Sequence, residues 1–208
     1  MNIYTDSRFT PSWIGFAHSF AGQDESDQAM AAYRTAARRF PGSHVPMLSI
    51  GMEYGKTANH NVAEQSLLRA SRIMSGDPAV QNELAVIMYR AEDYLAANGY
   101  ILECLRMLPE PMTLSWVTVV INAGHIQRKL NRYAEAIQYY ESALTLCPND
   151  YVVLSALGFT YHLMGGHYLL EALGYYNKVL SIAPEDPFTN EIIKVAFSED
   201  ATFRRMGN

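Results

Sequence analysis

Apolar residues fall three and four apart over short stretches of the chain, with polar breaks between the stretches. Trp13, Phe16, Ala17 and Phe20 mark one apolar face; Ala29, Tyr33 and Ala36 mark the next, which closes at Pro41. That spacing follows the 3.6-residue turn of an α-helix rather than the two-residue alternation of a half-buried strand. It predicts two helices, A and B, and the pair recurs. Displaced by 34 residues, the same slots hold Met47, Ile50, Gly51, Tyr54, Ala63, Leu67 and Ala70, with Ser75 where the proline stood. From residue 78 they hold Leu84, Ala85, Met88, Ala97, Ile101, Cys104 and Pro109. The register slips by five residues across MTLSW (112–116) and resumes at 117 with Ala123, Gly124, Ala136, Tyr140, Ala143 and Pro148. A fifth unit from 151 carries Leu154, Leu157, Gly158 and Tyr161 and, after two extra residues, Ala172, Tyr176, Val179 and Pro184.

Two slots never vary in size. The eighth position is Gly or Ala in all five units and the twentieth is Ala in all five. Antiparallel helices crossing at roughly +20° and ~8–10 Å apart need a small side chain on each partner at the closest approach. Large residues such as Phe20 and Tyr33 then interlock above and below it, and Ala36 admits the first helix of the following unit. Leucine at Ala29 would overpack the contact at a cost of about 1–3 kcal/mol. The closing proline lacks the helical N–H and disfavours helix in the residue before it, so it ends helix B.

A 34-residue helix-turn-helix period with these residue types resembles the tetratricopeptide repeat (TPR). The resemblance implies an all-α, right-handed α-solenoid with repeats near 10–43, 44–77, 78–111, 117–150 and 151–186. Residues 187–208 start another first helix, with Phe188, Ile192, Ile193 and Phe197 on one side and Lys194 in the small slot, and are expected to form a capping helix and tail. Residues 1–9 are expected to be the end of a preceding repeat or an N-terminal extension.

Composition narrows the partners. The formal charge of −5 divides about evenly between the halves of the chain, without the basic stripe that nucleic-acid phosphates require. No apolar run approaches the ~20 residues of a membrane span, and MNIYTDSRF lacks the features of a signal peptide, so a soluble, unexported protein is expected. Cys104 and Cys147 each lie in a helical pattern and are expected to be small buried hydrophobes rather than a disulfide framework.

In a TPR array the first helix of each pair lines the concave face, and positions two, five, nine and twelve share one side of that helix. The candidate partner-binding residues are Ile14 and His18; Leu48 and Met52; Asn82, Val86 and Tyr89; Ile121, His125 and Arg128; and Ser155, Phe159 and His162. This mixture, apolar with scattered donors, suits a peptide held by side-chain pockets and backbone hydrogen bonds. His18, His125 and His162 invite a zinc site, but they come from repeats one, four and five and no HExxH or paired CxxC accompanies them, so no metal is expected. Met52, Met88 and Met164 could form an adaptable platform, although Met88 occupies a frame slot and is expected in the core. Arg34, Arg38, Arg39, Arg69 and Arg72 fall on second helices as solvated charges, and the acidic turn Asp24, Glu25 and Asp27 is expected to cap the first helix B.

Two functions are disfavoured. A clamp for an acidic C-terminus needs Lys, Arg and Asn in consecutive repeats, where this chain has Ile14, His18, Leu48 and Met52. Enzyme motifs are missing as well: there is no Gly-rich phosphate loop, GxSxG elbow or metal-spaced ligand set.

Residues outside the packing frame carry a narrower resemblance. SWIGFAHSFAGQDESDQAMAAYRTA and HVPMLSIGMEYGKTANHNVAE, with GHIQRKLNRYAEA and LGFTYHLMGG further on, resemble the TPR scaffold subunit of the anaphase-promoting complex, of the Cdc-sixteen or Cut-nine type. His18-Ser19-Phe20, Asp27-Gln28-Ala29-Met30 and Glu53-Tyr54-Gly55 are not demanded by helix packing. The third repeat and the C-terminal cap are less similar. The resemblance corresponds to the C-terminal half of such a subunit and implies a non-catalytic scaffold, without cofactor, of a ubiquitin ligase working in cell-cycle control. It further implies other subunits of the complex as partners, a small Cdc-twenty-six type subunit in the groove, and a nuclear and cytoplasmic location. Self-dimerisation, supplied in that family by N-terminal repeats, is not carried over. A TPR scaffold of a different complex is the alternative.

Overall fold

The computed structural model describes residues 10–206, with side-chain surroundings over 11–199; the expected extension at 1–9 and the last two residues of the expected tail lie outside the described residues. The described elements are all helical, and the chain divides into two compact units, Met1–Met107 and Leu108–Asn208. The first unit contains α1 (Thr10–Ala21), α2 (Ser26–Arg39), α3 (Val45–Lys56), α4 (His60–Ile73), α5 (Pro78–Arg90) and α6 (Tyr94–Met107). The second opens on a 3-10 turn at Leu114–Trp116, where the register slips. It continues through α7 (Val117–Lys129), α8 (Tyr133–Leu146), α9 (Tyr151–Leu163), a second 3-10 turn at Gly166–Tyr168, α10 (Leu169–Ile182) and α11 (Pro187–Met206).

Within each unit consecutive helices pack on one another, first helix on second and second on the next first. All five residues at the eighth position and all five at the twentieth are buried, and the five alanines of the twentieth position have no exposed surface. Ala17, Ala29, Ala32 and Tyr33 form one core with Ile50 of the following repeat, and Val120, Ala136, Tyr140 and Ala143 form another with Val153 and Leu157. The large residue over the small contact, Tyr33, Leu67, Ile101, Tyr140 or Tyr176, is in every repeat essentially inaccessible to water.

Helix ends follow the sequence with one exception. Phe40, Cys147 and Ala183, each before a proline, leave the helix with φ near −130° and ψ between 66° and 80°, the extended backbone that proline imposes on its predecessor. Met74 ends α4 in nearly the same way, φ −140° and ψ 97°, before Ser75, so the exit is a property of the repeat and the proline only reinforces it. The acidic turn meets α2 by charge rather than by a side-chain hydrogen bond: Glu25 takes the N-cap position without one, Asp27 lies in the first turn, and Asp24 takes left-handed backbone at φ 58°. Ala58, Glu92 and Asn131 repeat that left-handed residue at the next three A-to-B turns. Asp77 and Asp150 are true caps, accepting from the Ala79 amide and from the Val152 and Val153 amides.

In α11 the buried side is Thr189, Ile193 and Ala196, of which Ile193 and Ala196 pack against α10 and Thr189 meets Ser155 of α9, while Phe188 and Phe197 are 46% and 54% exposed. The expected apolar side of Phe188, Ile192, Ile193 and Phe197 is therefore corrected. Among the described residues α11 has no second helix of its own, so only the positions that meet the preceding repeat are covered, and the slot held by Lys194 is open. Cys104 is fully buried and its thiol donates to the Pro78 carbonyl at 3.1 Å; burial pushes its pKa up to about 11, so it remains an inert thiol. Cys147 is half-buried, and both cysteines are free.

Candidate functional site

Pockets that contain candidate residues occur in both units. In the second unit His125 and Arg128 from α7 converge with Ser155 and Phe159 from α9, joined by Tyr151, Val152, Ala156, Asp186 and Phe188. The convergence follows from the repeat. Position twelve of one helix A comes beside positions five and nine of the next, and position two of the one after supplies Phe188. The Arg128 guanidinium lies over the Phe159 ring, 5.1 Å from its centre, and Phe188 packs edge-on against that ring at 5.5 Å. Tyr151, Val152 and Phe188 form an apolar rim, 40%, 52% and 46% exposed. Asp186 lies at the wall with its carboxylate accepting from the Thr189 amide at 2.8 Å, as the cap of α11.

In the first unit His18 and Met52 share a smaller pocket with Ala21, Gly22, Tyr33, Ser49, Glu53 and Lys56. Its floor is acidic. Glu53 is 5% exposed and held by Lys56 at 2.7 Å and by the Ser26 hydroxyl at 3.4 Å. Each pocket thus carries one acid and one cation: Glu53 and Lys56 are paired with each other in the first, whereas Arg128 and Asp186 form no ion pair in the second.

The three histidines share a local role. His18 Nδ1 bonds the Tyr33 hydroxyl at 2.7 Å, His125 Nδ1 bonds that of Tyr140 at 2.7 Å, and His162 Nδ1 bonds that of Tyr176 at 3.1 Å. Each joins helix A to the large frame residue of its own helix B. At position nine Met52 goes with Leu67 and Val86 with Ile101, while the fifth repeat has Phe159 there and keeps Tyr176, whose hydroxyl is met by His162 from position twelve. Three of the buried tyrosine hydroxyls are thereby satisfied, as buried polar groups require. His162 also bonds Glu199 of α11 at 2.9 Å through Nε2. Among the described residues no group of His, Cys, Asp and Glu is arranged to hold a metal ion.

The other candidates lie outside these pockets. Leu48 and Asn82 are 9% exposed, and the Asn82 amide donates to Glu83 at 3.2 Å. Ile14 and Val86 are half-buried, Tyr89 stacks edge-on with Tyr94 at 5.4 Å, and Ile121 packs against the core around Tyr140. Ser155, which lines the second pocket, is itself 9% exposed and shares a 3.3 Å hydrogen bond with Thr189. Val152 and Phe188 occupy position two of their helices, so the spacing rule itself pointed to them; Glu53 and Lys56 occupy positions ten and thirteen, which it passes over.

Burial, and after it the Arg128 charge, lowers the His125 pKa from its ordinary 6.5 to about 4. Between those values the unfolded chain takes up a proton that the folded one refuses. The folded state is therefore penalised progressively as pH falls from 6.5 towards 4, and not above 6.5. His125→Gln is expected to be less stable than the parent at pH 7, having lost the Tyr140 bond, yet to lose less on acidification. The difference between the two slopes should approach about 1.4 kcal/mol per pH unit within that window. Urea denaturation at pH 7, 5.5 and 4.5 measures it, and parallel curves would show that His125 carries no such linkage.

With the geometry in place, comparisons with known proteins give a consistent answer. A TPR repeat family model matches residues 124–165. Anaphase-promoting complex subunit 6 of Arabidopsis thaliana is 44% identical over 195 residues, 94% of this chain and 36% of that protein. The cell division cycle protein 16 homolog of Homo sapiens is 37% identical over 188 residues, 88% of this chain and 30% of that one. The crystal structure of the APC/C hetero-tetramer Cut9-Hcn1 superposes with a TM-score of 0.82 and 33% identity, covering 93% of this chain and 37% of the chain matched. The chain spans about a third of the length of the curated relatives it matches.

Proposed function

From the relationship of this TPR chain to the anaphase-promoting complex subunits of the Cdc16 and Cut9 type, we propose that it is a non-catalytic scaffold of such a ubiquitin ligase. Its first-helix face receives an extended segment of a small Cdc-twenty-six type subunit. The observation that carries this reading is the 44% identity along nearly the whole chain, which exceeds what the packing frame alone would preserve. Two further features support it: the Cut9-Hcn1 structure pairs a similar chain with a second protein, and the second-unit pocket is apolar at its rim with a few polar groups below. Extended segments bind through such side-chain pockets. The candidate residues Ile14, His18, Leu48, Met52, Asn82, Val86, Tyr89, Ile121, His125, Arg128, Ser155, Phe159 and His162 are proposed as the contact face. Nucleus and cytoplasm are the proposed location, and other subunits of the complex the wider partners.

Calorimetric titration of the chain with a peptide copying the N-terminal segment of that small subunit tests the proposal. Saturable binding with a rise in melting temperature is expected, as for any ligand of the native state. A helical, folded sample that neither binds nor shifts would leave a TPR scaffold of a different complex.

A further inference from the structure

The groove reading above underlies this inference, which concerns what one part of the groove recognises. Arg128, in the last turn of α7, has its guanidinium over the Phe159 ring, which Phe188 also packs against edge-on. Stacking sets the plane of the guanidinium but engages none of its N–H groups. Nothing among the described residues engages them either: Nε is buried without a hydrogen-bond partner, and Arg128 takes part in none of the ion pairs.

The neighbouring acids have other hydrogen-bond partners and form no ion pair with Arg128. Asp186 accepts from the Thr189 amide, and Glu199 pairs with His162. The remaining charged or titratable neighbours are His125, kept neutral by burial, and the Tyr176 phenol, whose pKa is raised by burial, so neither competes for the guanidinium. The pocket, of about 320 Å³, therefore holds a guanidinium that no carboxylate engages, with Asp186 on the same lining, among the exposed Tyr151, Val152 and Phe188.

A buried donor left unpaired is costly, and a planar guanidinium is matched best by a planar carboxylate taken through two parallel hydrogen bonds. A phosphate group is a poorer fit, because only one cation is present. We propose that the second-unit pocket is the receptor for the carboxylate of an aspartate or glutamate side chain in the bound partner segment, with an apolar neighbour of that residue seated against Val152 and Phe188.

The test uses the full chain, its Arg128→Gln and Arg128→Lys variants, and the same small-subunit peptide with each Asp or Glu changed singly to Asn or Gln. Arg128→Gln should keep its helicity and weaken binding at least tenfold, with Arg128→Lys in between. One acid-to-amide change in the peptide should weaken binding to the parent chain by a similar factor and have no further effect on Arg128→Gln. Binding of Arg128→Gln within twofold of the parent, or losses that multiply at every acidic position, overturns the carboxylate receptor and leaves the groove reading standing. Failure of the parent chain to bind any of the peptides overturns both.

Discussion

Gly51→Leu and Gly124→Ala are expected to lower the stability of the fold even though each residue introduced is a better helix former than glycine. A Cβ at Gly124 would lie 2.5, 2.8 and 2.9 Å from three ring atoms of Tyr140. That ring cannot swing aside, because it has no exposed surface and its hydroxyl is tied to His125. A Cβ at Gly51 would meet Leu67 at 2.6 and 2.7 Å and the Ala63 carbonyl at 3.2 Å, and leucine would add three more carbons to the same space. Overpacking of this kind costs about 1–3 kcal/mol, and Gly51→Leu and Ala29→Leu belong at the upper end. At about 2–4 °C per kcal/mol for a chain of this size, the melting temperature should fall by roughly 6–12 °C in those two. The contrast is with Gly99 and Gly174, in the interiors of α6 and α10, where an added Cβ meets nothing within 4 Å. Alanine there should raise stability by about 0.5–1 kcal/mol, the ordinary helix-propensity gain. Gly55 is intermediate: its clash is with Ile87 Cδ1, the far end of a flexible side chain. Circular-dichroism melts of the five variants decide the matter. Equal effects at Gly124 and Gly99 would refute the assignment of the eighth position as the helix contact.

The same small residues explain how much of the molecule could be read in advance. A contact that tolerates only Gly or Ala leaves a mark in the sequence at a fixed period, and it located the helix pairs without reference to any fold. What escaped was governed by features with no residue signature. The left-handed turn residue is Asp24, Ala58, Glu92 and Asn131 in four successive repeats; no glycine marks it, so the turn conformation is imposed by the packed helices on either side. The first-unit pocket depends on Glu53 and Lys56, which lie off the face the spacing rule selects. The three groove histidines were legible as a set but their engagement was not, since only the structure shows that Nδ1 of each ring already bonds a tyrosine across the repeat. Their participation in binding is limited to what the remaining ring edge offers. For α11, a periodic pattern without a following helix could not show which half of its apolar surface is covered.

Phe159→Glu is expected to leave the fold intact and to abolish binding of the proposed partner segment. Phe159 is half-buried and absent from the buried core around Tyr140, Val153 and Leu157, so its loss removes a pocket wall rather than a support of the helix pair. The new carboxylate would lie where the ring now contacts the Arg128 guanidinium, so an internal ion pair would occupy the position proposed for the ligand's acid. Binding loses both the apolar wall and the free cation. Residues at the centre of an interface cost 2 kcal/mol or more when removed, so affinity should fall at least about thirtyfold, with helicity unchanged and melting within a few degrees of the parent. Phe159→Leu separates the two losses: it keeps an apolar wall and leaves Arg128 unpaired, and it should bind more tightly than Phe159→Glu. Val86→Glu, half-buried on α5 of the first unit, asks whether the segment extends over that unit as well. Normal affinity in both glutamate variants would place the binding surface away from the first-helix face. A loss in Phe159→Glu alone would confine the segment to the unit that contains the unpaired arginine.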